Sequence, residues 1–335
     1  MRSDRSGSFR GGSGGGSPRR RARSDSQPRR RDEGPASRPR GAPGRPAAGS
    51  KRRSRASRTG PPGPEPTRHP TRAAVIGGRA KSQPSRGDVA EAWYDARDSA
   101  GQFDAAALVR HAEWASLVPS IESAGADPAT ALPRLAEYIA SVLSWNRSVS
   151  NLISASDESR LVSRHLAESL EPAGWLAESG ARRWVDLGSG AGFPALPLAI
   201  IGVGEKWLLV ESRRPKTLFL RRTTQQLGLT HVTVAHSRLE DLLHRDAQGE
   251  HDPSAASAGG FPFDAFTSRA TLTLAPTLEL AASSLRAGGH AFLWKGSARA
   301  AEKATPRAGA ERWRDGGERE LGSSQIAVCN FILIK

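Results

Sequence analysis

The stretch "RRWVDLGSGAGFPALPLAI", residues 182–200, decides the fold. A short apolar run ends at Asp186, an apolar run resumes later, and three glycines separate them at alternate positions: Gly188, Gly190 and Gly192. Glycine is needed where the backbone takes a positive φ or passes close to a ligand. The pattern therefore predicts a strand, a tight turn and a helix.

Behind this stretch, short apolar runs alternate with helical ones, which indicates βαβ units and a parallel sheet with helices on both faces. The predicted strands cover 183–187, 206–211, 231–235, 263–267 and 290–295, and the predicted helices lie near 194–201, 214–227 and 275–286. A last strand lies in "SQIAVCNFILIK", with Glu318–Leu321 as a weak candidate partner. The insertion "DAQGEHDPSAASAGG" is expected to be a flexible surface loop.

The chain divides into a tail (1–86), a helical region (87–180), and a Rossmann-like domain (181–335). The tail holds 23 Lys and Arg against 5 Asp and Glu, whereas residues 87–335 hold 26 against 29. No Val or Ile precedes Val75, so no core offsets the entropy of ordering the tail, and we expect it to be disordered. Arg-rich arms add salt-dependent affinity for nucleic acid. A solvated leader without a specific task and a transit peptide are the alternatives.

Cysteine usage and hydropathy limit the class of protein. The single cysteine, Cys329, excludes an intrachain disulfide and a cysteine-based metal site, and it fits a reducing compartment. No apolar run approaches the roughly 18 residues that span a membrane, and no signal-peptide core follows Met1. We expect a cytoplasmic protein with neither a membrane nor a metal partner, and we favour a monomer.

The glycine spacing separates two kinds of nucleotide site. The dinucleotide fingerprint is G-x-G-x-x-G, but here the spacing is G-x-G-x-G and Phe193 stands where the last glycine belongs. This shape suits a nucleoside without a pyrophosphate, as in S-adenosylmethionine. The next strand ends at Glu211, where a carboxylate can accept both ribose hydroxyls. A glycine turn that merely packs a strand against a helix is the alternative.

Several motifs, in this order along the chain, resemble the bacterial small-subunit rRNA guanine-N7 methyltransferases, also called the glucose-inhibited division protein B family. They are "WNRSVSNL", "RHLAESL", "VDLGSGAGFPALPLAI", "LVESRRPKTLFLRR", "HSRLED", "FTSRA" and "LWKG". The resemblance covers about residues 130–335. It implies a class I methyltransferase sheet with an N-terminal helical cap, S-adenosylmethionine as the cofactor, and methylation of N7 of a guanine in 16S rRNA or the small ribosomal subunit.

The glycine turn and the resemblance together give candidate cofactor contacts. By resemblance, residues 211–213 surround the ribose and residues 239–240 flank the adenine. The candidates are Asp186, Gly188, Gly190, Gly192, Phe193, Glu211, Ser212, Arg213, Leu239, Glu240 and Arg269.

The proposed chemistry requires no general base, because guanine N7 already holds an unshared lone pair. Catalysis should then rest on positioning, and no catalytic residue is assigned. Arg269 and Lys295, at the ends of neighbouring strands, are candidates for donating to guanine O6 or to phosphate. We expect His165 to be a structural histidine. The helix after the second strand supplies candidate RNA contacts, for which a solvated helix face is the alternative. They are Arg214, Lys216 and Arg221, together with Lys295.

Two other functions remain as alternatives. A dinucleotide-dependent oxidoreductase is disfavoured because the third glycine of its fingerprint is missing and no acid/base pair for hydride transfer stands out. An RNA-binding protein with a decayed cofactor site is disfavoured because Asp186, the three glycines and Glu211 are intact.

Overall fold

The computed structural model of the protein describes residues 96–305 and 308–335. The predicted disorder of the tail, residues 1–86, lies outside the described residues, as does the predicted start of the helical region. Among the described residues, no helix combines the length and the apolar character that crossing a membrane requires.

A mixed sheet forms the centre of the described part of the chain. Its strands are β1 (Arg183–Leu187), β2 (Lys206–Glu211), β3 (Val232–His236), β4 (Phe263–Arg269), β5 (Leu285–Lys295), β6 (Trp313–Glu320) and β7 (Ala327–Leu333). They lie in the order β3-β2-β1-β4-β5-β7-β6. Strands β1 to β5 are parallel, and β7 is antiparallel to both of its neighbours. The order reverses between β1 and β4, where an open sheet of this kind forms its ligand crevice.

Helices cover both faces of the sheet and form the cap that precedes it. The cap helices are α1 (Ala105–Leu108), α2 (Val118–Ser123), α3 (Pro128–Ser148), α4 (Ala167–Leu170) and α5 (Ala173–Glu178). The helices after β1 are α6 (Ala195–Ile200), α7 (Arg214–Gln226), α8 (Leu239–Ala247), α9 (Pro253–Ser257), α10 (Leu274–Ser284) and α11 (Arg299–Ala304). Shorter 3₁₀ turns cover Ala112–Leu117, Ala155–Arg160 and Ala310–Arg312, and one π-helical turn, Leu161–Leu166, leads directly into α4.

The predicted strands agree closely with the structure. Strands β1 and β2 begin and end at the predicted residues, β3 is shifted by one residue, and β4 and β5 are longer than predicted. The weak candidate partner of the last strand is confirmed, since β6 pairs with β7 from Trp313 to Glu320. The apolar runs locate the strands well because strands buried on both faces are apolar almost throughout.

The insertion after α8 is not the continuous loop that we predicted. Helix α9 forms inside it, because Asp252 accepts hydrogen bonds from the backbone N–H groups of Ser254 (2.9 Å) and Ala255 (3.4 Å). Ala255 and Ala258 are buried against the sheet face that also packs α8 and α10. Helix α8 was likewise missing from the predicted elements. The N-terminal cap of α9 and its small apolar contacts therefore outweigh the turn-forming composition of the segment.

Large aromatic side chains form the sheet face on which the cap packs. Trp184 of β1 stacks on Trp207 of β2 and on Phe292 of β5, with ring centroids 5.0 and 5.8 Å apart. Long-range hydrogen bonds also join the cap to the sheet domain. Tyr138 Oη donates to Ala191 O (2.8 Å), Trp294 Nε1 donates to Glu168 O (2.8 Å), and Arg134 Nη2 donates to Leu227 O (2.9 Å). The cap is therefore bonded directly to the glycine turn.

Candidate active site

A cavity of about 1170 Å³ lies at the carboxyl edge of the parallel strands. Its walls come from the glycine turn after β1, the ends of β2, β4 and β5, and the cap segment around His165. Cavities for small ligands usually measure about 300–1,000 Å³. The volume is therefore sufficient for a nucleoside cofactor together with one further base.

The glycine turn has the conformation that its composition predicts. Gly188 (φ +68°) and Gly190 (φ +57°) both take left-handed backbone angles and line the cavity. A Cβ atom on Gly188 would overlap the methyl group of Thr271, whereas one on Gly190 would find its nearest neighbours at 3.7 and 3.8 Å. Gly192 (φ +102°) packs against the side chain of Leu196 and does not line the cavity. The turn thus brings backbone, and no side chain, to the cavity at two positions.

Glu211 lies at the end of β2 with its carboxylate fixed beside this turn. Its Oε2 accepts a hydrogen bond from Gly190 N (3.0 Å), and its Oε1 accepts one from Arg213 N (2.7 Å). Each carboxylate oxygen accepts more than one hydrogen bond, so both oxygens keep capacity for a ligand. Because Glu211 also lines the cavity, the two oxygens are preorganised to accept a pair of neighbouring hydroxyl groups.

Asp186 lies beneath the turn and does not line the cavity. Its Oδ1 accepts a hydrogen bond from Thr267 Oγ1 (2.7 Å), and its Oδ2 is buried without a partner among the described residues. Burial, reinforced by the nearby charge of Glu211, raises the pKa of Asp186 to about 6. The structure therefore gives Asp186 a place behind the cofactor turn, and direct contact with a cofactor stays a prediction for this residue.

The other predicted cofactor residues divide into two groups. The structure brings Phe193, Ser212, Arg213 and Arg269 to the cavity wall. It does not bring residues 239–240 there: Leu239 is fully buried in the core and Glu240 is exposed, both in the first turn of α8. Their predicted role beside the adenine is not reflected in the lining of the cavity.

Arg269 forms an ion pair that the sequence analysis missed. Its guanidinium contacts the carboxylate of Glu168, whose side chain is fully buried and also accepts a hydrogen bond from Arg164 Nε (3.3 Å). Arg269 Nη2 also lies 3.1 Å from His165 Nδ1. Because an arginine only donates, His165 Nδ1 is the acceptor. The candidate donor at the end of β4 is thus a charge that a buried carboxylate neutralises.

His165 is part of the cavity wall, and the structural role that we expect for it stays a prediction. Burial, together with the charge of Arg269, lowers the pKa of His165 to about 4, so the ring is neutral at pH 7. Its ring packs against Phe193 with centroids 5.3 Å apart. The π-helical turn that carries His165 is a distortion often found at functional sites, and residue spacing alone did not indicate it.

Lys295 is also paired. It lines the cavity at the end of β5, and its Nζ donates to Glu302 Oε2 and to Leu272 O, each at 2.9 Å. A lysine has three N–H donors, so one donor remains for a ligand. Glu302 also accepts a hydrogen bond from Leu274 N (2.6 Å). Lys295 therefore holds the segment after β4 in addition to lining the cavity.

The predicted RNA contacts on α7 are not equivalent. Lys216 lines the cavity and Arg214 is exposed at the start of the helix. Arg221, in contrast, directs its guanidinium at Val234 O (3.1 Å from Nη2), so it also ties α7 to β3. The basic face that remains for a polyanion is the first turn of α7. The cap adds Arg160 and Arg164 to the cavity lining, and the sequence analysis gave these two arginines no role.

Together, the strand order and the site define a Rossmann-like sheet with one antiparallel insertion, the fold of class I S-adenosylmethionine-dependent methyltransferases. The family model described as rRNA small subunit methyltransferase G matches residues 131–311, just over half of the chain. The chain belongs to this family.

Individual relatives agree with this membership. The chain is 37% identical over 140 residues to ribosomal RNA small subunit methyltransferase G of Stutzerimonas stutzeri, an alignment that covers 42% of this chain and 57% of the relative. It is 36% identical over 182 residues to the protein of the same name from Stenotrophomonas maltophilia, covering 54% and 76%.

Solved structures resemble the chain more distantly. A putative methyltransferase from Escherichia coli has 16% identity and a TM-score of 0.36, over 48% of this chain and 80% of that one. A putative RNA methyltransferase from Pyrococcus horikoshii has 11% identity and a TM-score of 0.38, over 51% and 84%. Values this low carry no argument about function.

Proposed function

We propose that the protein transfers the methyl group of S-adenosylmethionine to N7 of a guanine in 16S rRNA. Family membership supports this reaction class. The observation that carries the proposal is the carboxylate of Glu211, which two backbone N–H groups hold at the edge of the glycine turn inside a cavity larger than one nucleoside requires. Such a reaction belongs in the cytoplasm, where rRNA is assembled into subunits.

The residues present fit the cofactor. Glu211 offers two oriented acceptors for ribose hydroxyls, and the glycine turn lets the ligand approach the backbone closely at Gly188 and Gly190. Phe193, Ser212 and Arg213 complete this side of the cavity. When bound, S-adenosylmethionine supplies an electrophilic methyl group.

The chain's own contribution is to orient the acceptor base and to exclude water. Guanine N7 needs no deprotonation, and neutral His165 and the paired Arg269 and Lys295 add no strong base to the wall. Lys295 keeps one N–H for guanine O6 or phosphate. Because both cations are held by buried or half-buried carboxylates, their donors are already oriented before the base arrives, and that lowers the cost of positioning it.

RNA contacts beyond the acceptor base are assigned to the cavity rim. Lys216 of α7 and Arg160 and Arg164 of the cap line the cavity, and Arg214 is exposed in the first turn of α7. Phosphate contacts from such side chains position an RNA without reading its sequence. Naked 16S rRNA and the small ribosomal subunit are the two candidate substrates, and the same methyl-transfer assay compares them.

The test is methyl transfer from labelled S-adenosylmethionine to small-subunit RNA that lacks the modification, with the product mapped by N7-specific strand cleavage. Gly188→Asp should abolish the label, because its side chain would occupy the cavity against Thr271. Gly228→Asp is the matched control, since Gly228 has a similar φ of +63° with open space around it and lies outside the cavity. Label at one guanine N7 with wild type and the control, but not with Gly188→Asp, is the expected result.

Other outcomes point to the alternatives. Tight binding of NAD in place of S-adenosylmethionine would overturn the methyltransferase assignment in favour of an oxidoreductase. RNA binding without any affinity for S-adenosylmethionine would indicate a decayed cofactor site. Cofactor binding without labelled RNA would leave the fold standing and direct the search to another methyl acceptor.

A further inference from the structure

One apolar side chain is exposed inside the cavity. Among the described residues, the large hydrophobic side chains with high exposure are Val149, Leu218, Leu272 and Ile334. Of these four, only Leu272 lines the active-site cavity, where it is 45% exposed. Exposed apolar surface is common on a protein exterior. In the wall of a ligand cavity, however, a bound ligand can bury that surface.

The segment that carries Leu272 is fixed on both sides. Leu272 O accepts the hydrogen bond from Lys295 Nζ (2.9 Å), and Leu274 N donates to Glu302 Oε2 (2.6 Å). The hydroxyl groups of Thr271 and Ser268 are also hydrogen-bonded to each other. These bonds tie the segment to the ends of β4 and β5 and to α11. The backbone at Leu272 is therefore fixed, and its side chain extends into the cavity from a rigid position.

The backbone here is also strained. Ala270 has a φ of +56°, and it is the only residue other than glycine with a positive φ in the described part of the chain. Such conformations persist only where the surrounding structure enforces them, and they concentrate at functional sites. The turn at Ala270 brings the methyl group of Thr271 over Gly188. The segment after β4 consequently contacts the glycine turn at the cavity wall.

We propose that Leu272 packs against the face of the acceptor guanine, an inference that rests on the proposed function. The edge of a guanine is polar, and Arg269 and Lys295 line the same cavity as Leu272, with Lys295 Nζ 2.9 Å from Leu272 O. The face of a base is apolar and is commonly covered by a side chain when the base leaves its stack. Leu272 thus fixes the plane of the base, which in-line transfer to N7 requires.

The decisive variants are Leu272→Ala and Leu272→Met, with Ile334→Ala as the matched control. Ile334 is 49% exposed but lies outside the cavity. Leu272→Ala should lower kcat/KM for RNA about fivefold, the effect of uncovering roughly half of a leucine side chain. Leu272→Met keeps the apolar reach and should stay within about twofold of wild type. Ile334→Ala should have no effect, and the affinity for S-adenosylmethionine should be unchanged in all three.

A binding experiment separates this contact from a general loss of RNA affinity. Affinities at low salt are measured for a uridine oligoribonucleotide with one central guanine, and for the same oligomer with an abasic residue at that position. Wild type should prefer the guanine oligomer, and Leu272→Ala should lose about fivefold of that preference while binding the abasic oligomer like wild type. Equal losses on both oligomers, or no loss on either, would overturn the proposal.

Failure of the proposed function would look different. If wild type transfers no methyl group to RNA, the function is wrong, and the binding comparison still decides the role of Leu272 because it involves no transfer. If wild type methylates RNA and Leu272→Ala does so at the same kcat/KM, the function stands and the inference about Leu272 fails. Thermal melting of each variant confirms that it is folded, as expected for substitutions at exposed positions.

Discussion

Gly188→Ala tests the geometry of the glycine turn most directly. An alanine at position 188 would take a left-handed backbone (φ +68°), and its Cβ would overlap Thr271 Cγ2. Gly190→Ala is a matched control, because Gly190 has a similar φ of +57° and its nearest neighbours would be 3.7 Å or more away. Both substitutions incur the left-handed cost of about 1–2 kcal/mol, but only the first adds an overlap.

The overlap cannot be relieved without cost. Rotation of the Thr271 side chain would break its hydrogen bond with Ser268, and displacement of the segment would act on the already strained Ala270. Overpacking of this kind costs about 1–3 kcal/mol. Gly188→Ala should therefore lower the free energy of unfolding by about 2–5 kcal/mol, against about 1–2 kcal/mol for Gly190→Ala.

Urea unfolding of single and double variants measures the overlap alone. Thr271→Ser removes the methyl group and keeps the hydroxyl, so in this background Gly188→Ala should cost about 1–3 kcal/mol less than in wild type. The cost of Gly190→Ala should be the same in both backgrounds. The reasoning is refuted if Thr271→Ser leaves the cost of Gly188→Ala unchanged, or if the two glycine substitutions are equally destabilising.

Three further predictions concern charge. Burial raises the pKa of Asp186 from 3.8 to about 6, so its protonated form contributes stability that is complete below pH 4 and is lost as the pH rises through 6. Relative to Asp186→Asn, wild type should lose about 3 kcal/mol of unfolding free energy between pH 3 and 8. A pH-independent difference would contradict the raised pKa. Glu168→Gln removes the buried carboxylate that pairs with Arg269 and should lower the free energy of unfolding, measured with urea, by about 3–5 kcal/mol. The control Glu178→Gln, at an exposed carboxylate, should change it by less than about 0.5 kcal/mol. Similar effects of the two substitutions would argue against a critical ion pair. Deletion of residues 1–86 should leave the affinity for S-adenosylmethionine intact and flatten the salt dependence of RNA binding, while an unchanged slope would mean that the tail does not touch RNA.

The sequence predicted what depends on neighbouring residues. The alternation of apolar runs located β1 and β2 to the residue. Of the glycines and Glu211, the structure brings Gly188, Gly190 and Glu211 to the cavity wall but not Gly192. The sequence did not reveal that Glu168 neutralises Arg269 or that Glu302 pairs with Lys295. The first pair joins residues 101 positions apart, and no local pattern encodes which charges meet after folding.

The insertion of β7 between β5 and β6 was also beyond sequence reasoning. Apolar composition identified β7 as a strand, but strand order follows from how the sheet edges pack, and that packing involves the whole domain. Helix α9 was missed for a different reason. Its segment is rich in turn-forming residues, and only its burial against the sheet shows that the cap at Asp252 begins a helix.

The ion pair between the cap and β4 has a consequence for the order of synthesis. Glu168 emerges from the ribosome 101 residues before Arg269, which at about 5–20 residues per second is a delay of roughly 5–20 s. Of the folded-state partners of Glu168, Arg164 is translated before it, whereas Trp294, which donates to Glu168 O, is translated after Arg269. The turn of the cap that carries Glu168 can therefore be buried only after strands β4 and β5 have been translated. The part of the molecule that is translated early completes its fold late.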